Sequence, residues 1–254
     1  MRAFLLISLI LFTSLMGRAA LAEELVTDLS EHIVAIKSNF TGTELLLFGA
    51  IETNSPESRS LERDVVVVLR GPSEKLTVRK KERISGIWMN AKSSSYDNVP
   101  GFYTVASTKP LALIASQNVL QRYQIGTRNI RLKAEDKSNP ALDKASRHAL
   151  VRLKENKELY SESSGGVSFL GDTLFRASLD IPATVPIGVY VADFFLFRHG
   201  TVIHAQSTPL YVNKSGLERL IYTFAQRHSF FYGLLAVFLA LIAGWFAAVV
   251  FRKS

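Results

Sequence analysis

Five histidines, His32, His148, His199, His204 and His228, are the side chains best suited to hold a metal or move a proton near neutral pH. Their spacing supports neither role. No two stand four apart, the interval that puts a pair of imidazoles on one helical face. His199 and His204 can approach each other across one hairpin, but a turn histidine beside an exposed strand histidine is the simpler account. Ser163-Ser164-Gly165-Gly166 superficially resembles a nucleophile loop. It lacks the G-x-S-x-G elbow, and we read it as a linker. No Gly-rich loop joins a strand to a helix as a phosphate cradle, and Asp and Glu show no paired spacing. The chain has no cysteine, which excludes thiol catalysis and thiolate metal sites. The expectation is a protein without enzymatic activity, cofactor or bound metal.

Two other patterns are candidates for recognition. Arg79-Lys80-Lys81-Glu82-Arg83 is the densest basic run. Alternate side chains of a strand share a face, so at most about three of these charges would act together. A solvated strand end or hairpin turn accounts for the run. The functional alternative is attraction of an anionic headgroup, an envelope polymer or an acidic partner to Arg79, Lys80, Lys81 and Arg83. The second pattern is Ala236, Ala240, Gly244 and Ala248, which recur every four residues inside the apolar stretch 229–251. Ala243 and Ala247 lie alongside. Such a ladder lets a neighbouring helix approach closely, whether from a second copy or from a polytopic membrane protein.

The elements that would position these residues begin at the ends of the chain. Residues 3–16 are apolar behind Arg2, and Ala20-Leu21-Ala22 is an A-x-A cleavage site, so residues 1–22 read as a signal peptide. Residues 229–251 carry no charge and are long enough to cross a bilayer at about 1.5 Å per residue. Arg252, Lys253 and Ser254 follow as a short tail. The expected topology is a bacterial inner-membrane protein with its ectodomain in the periplasm, one transmembrane helix and a cytoplasmic tail at 252–254. Removing Arg2, Arg18, Arg252 and Lys253 leaves 26 basic residues against 22 acidic ones in 23–228. That mild excess is no nucleic-acid footprint.

Within the ectodomain, 23–110 reads as an N-terminal β module. His32–Ile36, Glu44–Ile51, Asp64–Arg70, Lys75–Lys80, Ser85–Asn90 and Gly101–Ser107 are strand patterns. Asn39–Gly42 is a turn, and Thr53–Arg63 and Ser93–Pro100 are polar loops. Gly49 marks a bulge or a close approach, and Asp64–Arg70 has the continuous apolar run of a strand covered on both faces. Residues 111–160 read as helical, with helices near Leu111–Tyr123 and Pro140–Tyr160. In the second, Leu142, Ala145, Ala149, Leu150 and Leu153 would be buried, and Lys144, Arg147, Lys154 and Lys157 would face out. Ser161–Gly166 reads as a flexible break.

Residues 161–213 then return to strands. Asp172–Ile181 is one, and Gly188–Phe197 and Thr201–Val212 form a hairpin around Arg198-His199-Gly200. Pro186-x-Gly188-x-Tyr190 resembles the strand start of immunoglobulin-like sandwiches where a tyrosine hydroxyl pins the preceding turn. The fold expectation is therefore mainly β, an immunoglobulin-like β-sandwich of one or two modules with a helical insertion. Residues 214–228 read as an amphipathic juxtamembrane helix with Leu217, Leu220, Ile221 and Phe224 on one face.

Several segments together resemble a family of alphaproteobacterial transmembrane proteins with no assigned activity. They are Phe40-Thr41-Gly42 running into Glu44–Ala50, Val66–Pro72, Gly86-Ile87-Trp88-Met89-Asn90, Phe102-Tyr103 through Pro110-Leu111, and Pro186–Tyr190. The resemblance covers essentially the whole chain. It implies an accessory role beside a permease similar to sulfite or organosulfonate exporters, and it brings no catalytic residues. The sequence thus points to a single-span accessory or interaction partner of another membrane protein. A periplasmic binding or sensing module for an anionic ligand or polymer is the alternative.

Overall fold

In a computed structural model of the chain, the described residues are 24–29, 33–36, 42–52, 62–136, 139–214, 222 and 224–251. The signal-peptide reading, the turn at 39–41, the tail and most of the juxtamembrane segment lie outside them. So do His32, Leu217, Leu220 and Ile221.

The protein is mainly β, with three sheets. The strands are β1 (Glu24–Leu29), β2 (Ile33–Ile36), β3 (Gly42–Glu52), β4 (Asp64–Arg70), β5 (Ser73–Ile84), β6 (Ile87–Pro100), β7 (Tyr103–Ser107), β8 (Lys133–Ala134), β9 (Tyr160–Ser164), β10 (Val167–Phe169), β11 (Leu174–Pro182), β12 (Gly188–Arg198) and β13 (Thr201–Lys214). The helices are α1 (Leu111–Ile114), α2 (Gln117–Tyr123), α3 (Pro140–Glu155) and α4 (Ser229–Phe251), with a 3-10 turn at Thr127–Asn129. One sheet has the order β1-β3-β11-β10, the second β2-β13-β12-β4-β7-β9 and the third β5-β6-β8. Strands from before and after the helical segment share both large sheets, antiparallel except for β2 beside β13 and β9 beside β7.

Burial explains why β4 is almost pure Val and Leu. Val65, Val67 and Leu69 share a face with Leu196, Phe194 and Ala192 of β12. That face meets the β1-β3-β11-β10 sheet, where Phe175 lies 6.4 Å from Phe194. Val66 and Val68 point the other way, with Phe195 and Asp193. There α1, α2 and the following turn cover them: Tyr123 packs edge-on against Phe195 at 5.6 Å, and the Tyr103 hydroxyl donates to the Gln124 carbonyl at 2.7 Å. The hairpin's second apolar face is therefore covered within the chain at Phe195 and Phe197, while Val189 and Val191 stay exposed. The reversal between β12 and β13 uses His199 and Gly200, both at positive φ, as a two-residue hairpin turn requires.

Gly49 is a close-approach point without a bulge. It pairs with Phe175 in an unbroken register, and a Cβ there would sit 2.2 Å from the Phe175 ring. The aromatic ring occupies the space that a side chain would need.

Several local expectations are corrected. Ser93–Pro100 is strand, not loop: Ser93, Ser94 and Ser95 pair with Arg79, Val78 and Thr77, and Ser95 shares a 2.9 Å hydroxyl hydrogen bond with Thr77. A ribbon with one face in solvent needs no apolar alternation there. The helix at 111–123 is broken by extended backbone at Ala115 and Ser116, which lets Ile114, Ala115 and Leu120 all pack inward. The second helix stops at Glu155. Glu158 takes the left-handed conformation, and Leu159 and Glu158 donate backward to Lys154 and Glu155. This is the Schellman closure, achieved with no glycine to signal it.

Its N-terminus matches expectation, with the Asn139 side chain accepting from Leu142 N–H and Pro140 following. Of the expected stripe Leu150 is buried, Leu142 and Ala149 are half-buried, and Ala145 and Leu153 are exposed, while Ser146 and Lys154 are buried in their place. Ser161–Gly166 is not a flexible break either. Tyr160–Ser164 form an edge strand parallel to β7, with Thr104 and Ser161 hydroxyls 2.7 Å apart. Three short strands, β1, β8 and β10, had no sequence expectation, and β8 interrupts the stretch 111–160 read as helical by pairing with Tyr96 and Asp97 of β6.

Candidate functional site

The basic run lies on a two-stranded ribbon that prolongs the β4–β7 hairpin beyond its sheet. Gly71 N–H donates to the Phe102 carbonyl at 2.8 Å, and Gly101 N–H to the Pro72 carbonyl at 2.7 Å, so the ladder continues across the Gly-Pro break. Both glycines are needed for packing. A Cβ on Gly71 would meet Phe102 at 2.9 Å, and one on Gly101 would meet Pro186 at 2.8 Å. Beyond this waist β5 and β6 pair to a tight turn at Ser85 and Gly86, both at positive φ.

The base of the ribbon is clamped by α3. The Lys154 ammonium, mostly buried, donates to Glu74 and, at 3.2 Å, to the Gly101 carbonyl. It also sits 5.8 Å from the centre of the Tyr160 ring. Those partners are why a lysine can occupy a buried helical position. Further along, the Tyr96 hydroxyl donates to the Asp143 carboxylate at 2.9 Å, and Ser146 meets Ser94 at 3.2 Å. Burial, then the Asp143 hydrogen bond, push the Tyr96 phenol up to about 12. It is a neutral donor at any physiological pH.

Register sorts the charges. Lys80, Glu82, Ile84, Ile87, Met89 and Lys92 share one face. On it Glu82 pairs with Lys80 at 3.0 Å and Lys92 at 3.8 Å, which leaves one net positive charge, and those lysines hold the Glu82 carboxyl below its usual range. The other face carries Arg79, Lys81 and Arg83 together with Trp88. That face holds three of the four basic side chains of the run. The basic run did not indicate the tip. Ile84, Ile87, Trp88 and Met89 surround the turn and are between 46% and 70% exposed. Ile87-Trp88-Met89 is contiguous in the sequence, but reading Ser85–Asn90 as one strand misses the turn at Ser85 and Gly86 that sets Ile84 beside Ile87.

The second candidate is α4. The structure gives a continuous helix over Ser229–Phe251, and the window Ser229–Ala247 is apolar and long enough to cross a membrane, with none of it buried. Ala236, Ala240, Gly244 and Ala248 fall on one stripe by helical period. A Cβ built on Gly244 finds no atom within 4 Å, and Ala236 and Ala240 are exposed. Phe224 and Tyr222, just before the helix, are also exposed.

Elsewhere, a cleft of about 490 Å³ between the 3-10 turn and α3 is lined by Arg128, Lys144, Arg147, His148 and Arg152. Arg147 is paired there with Asp143 at 2.9 Å. The sequence did not show this grouping, because Arg128 reaches it from a separate segment. Among the described residues no group of three or more His, Asp or Glu side chains is placed to hold a metal ion. His199 sits at the exposed hairpin turn, and His204 pairs with Leu196 on β13.

These features can be set beside known proteins. Residues 24–253 match a protein family described as "Putative transmembrane protein (Alph_Pro_TM)". The chain belongs to that family. The match runs from β1 through α4, so the β-rich body and the apolar helix are parts of one family unit. No curated protein matches the chain. Family membership and the bare α4 together make this a membrane protein with one candidate span near its C-terminus.

Proposed function

We propose that this is a non-enzymatic, single-span inner-membrane accessory protein whose periplasmic β-rich ectodomain serves another membrane protein. The observation that carries the reading is α4. It is an apolar helix with no cover, and a stripe of small residues along it leaves Gly244 open to a neighbouring backbone. In lipid, apolar contact alone does not drive helices together, so close packing over small residues is what gives such a surface a use. A permease of the sulfite-exporter type fits as the partner class. The ectodomain is read as an immunoglobulin-like sandwich, a reading supported by the two facing sheets and by the Tyr190 hydroxyl, which donates to the Pro186 carbonyl at 2.5 Å.

Gly244→Leu places a bulky side chain on the stripe and keeps the helix apolar. Each interhelical contact is worth on the order of 1 kcal/mol, so association should weaken about fivefold without misfolding. Gly244→Ala should be milder. Co-purification in mild detergent at matched expression checks this. If an unrelated poly-Leu helix replaces α4 with no loss of any partner, the helix is only a tether. A retained small anion, with no stoichiometric membrane partner, would favour an ectodomain that acts alone as an anion-binding module.

A further inference from the structure

We propose that the β5–β6 ribbon docks tip-first on the surface of the membrane that α4 enters, with Ile84, Ile87, Trp88 and Met89 in the interfacial layer and Arg79, Lys81 and Arg83 against anionic headgroups. The proposal rests on α4 as a span and not on the identity of any partner of that helix.

The direction of the ribbon follows from strand order. Both β4 and β13 run antiparallel to β12, and Val191 of β12 pairs with Arg70 of β4 on one side and Pro209 of β13 on the other. Beyond that level, β4 passes through the waist into the ribbon, and β13 runs on through Lys214 toward α4. The ribbon and the chain bound for the membrane therefore leave the same end of the sheet. β5 contributes 12 residues, or about 40 Å at about 3.3 Å each. Between Lys214 and Ser229 lie 14 residues, of which 224–227 are helical, so they reach at most about 45 Å. The tip and the start of the span are thus on commensurate tethers.

Chemistry selects the occupant. Ile84, Ile87 and Met89 project from one face of the ribbon and Trp88 from the other, so both faces of the tip present apolar side chains. A groove on a protein would cover one face and leave the second bare. An interfacial layer wets both, and tryptophan is a side chain favoured there. Behind the tip, Arg79, Lys81 and Arg83 share the Trp88 face, with Glu82 on the opposite one. That is a row of cations one, three and five residue pairs behind the terminal Ile84–Ile87 pair, with no acidic side chain on their face between Arg79 and the tip, as an anionic surface would require.

The chain has two tryptophans, so Trp245→Phe leaves Trp88 as a sole reporter. That full-length variant is reconstituted into phosphatidylcholine vesicles with brominated acyl chains, with and without phosphatidylglycerol. With anionic lipid, Trp88 emission should shift to the blue and be quenched by the bromines. Each of Arg79→Glu, Lys81→Glu and Arg83→Glu should lower the docked-to-free ratio at least about fivefold, and added salt should lower it as well. Circular dichroism of each variant checks that the fold is kept. Water-like, unquenched emission in both lipids overturns the proposal. So does a blue shift without bromine quenching that grows with the protein-to-lipid ratio, because the tip would then sit on a second copy of the chain.

Discussion

Tyr190→Ala is expected to lower the stability of the ectodomain by about 3–5 kcal/mol, the range for a buried aromatic cut to alanine. Tyr190 is fully buried at the start of β12, with its ring 5.9 Å from that of Phe102. It also fills the space above Gly71, where an added Cβ would approach its ring at 3.0 Å. The lost ring therefore opens a void at the waist where the ribbon joins the sheet. Tyr190→Phe keeps the ring and removes only the hydroxyl that donates to the Pro186 carbonyl. It should cost about 1 kcal/mol. For a chain of this size about 3 kcal/mol lowers Tm by about 6–12 °C. Thermal melting of the three proteins side by side checks the series. An unchanged Tm for Tyr190→Ala would mean that the ring is not packed at this corner.

Arg70→Met should be nearly as damaging, for a different reason. Asp193 interrupts the apolar outer face of β12 and is only 8% exposed. Its carboxylate accepts from the Arg70 guanidinium and, at 2.5 Å, from the Ser207 hydroxyl. Arg70 also donates to the carbonyls of Tyr123 and Gln124 at 3.2 and 3.3 Å, which ties the end of α2 to the sheet. Removing the cation leaves a carboxylate in an apolar wall. Breaking a fully buried pair costs about 3–5 kcal/mol. The Arg70 side chain is 27% exposed, so solvent screening lowers the expectation to about 2–3 kcal/mol. The double variant Arg70→Met with Asp193→Leu should recover much of that loss, because no charge then remains unpaired. Denaturant unfolding of both single variants and the double gives the coupling. Strictly additive losses would show that the two side chains do not depend on each other.

The β4 strand was legible because both of its faces are buried, which leaves an unbroken apolar run. The β12–β13 hairpin was legible because two apolar strand patterns flank a short turn that holds Gly200, which takes positive φ without strain. Lys154 was not. A lysine on a helix reads as solvent-facing, and only Glu74, Gly101 and Tyr160, which arrive from three other segments, make its burial tolerable. Ser93–Ser95 were misread for a related reason: their strand partners in β5 supply the apolar and β-branched side chains, so the pairing is not written in the serines themselves. Of the candidate sites, the basic run and the small-residue ladder could be seen, since each is contiguous or periodic. The apolar tip is contiguous too, but a strand reading of Ser85–Asn90 hid the turn that exposes it, and the Arg128–Arg152 cleft could not be seen because the fold assembles it from two segments.

The account stands on α4 crossing a membrane with the β-rich body on one side, and the absence of native cysteines makes that directly measurable. Ser168→Cys on exposed β10 and Ser254→Cys at the end of the tail are each the sole thiol in the chain. Intact cells, outer membrane permeabilised, are treated with a membrane-impermeant maleimide. Labelling of Ser168→Cys at once, and of Ser254→Cys only after the inner membrane is lysed, is the predicted result. Equal labelling of both before lysis, or labelling of Ser254→Cys alone, would contradict it.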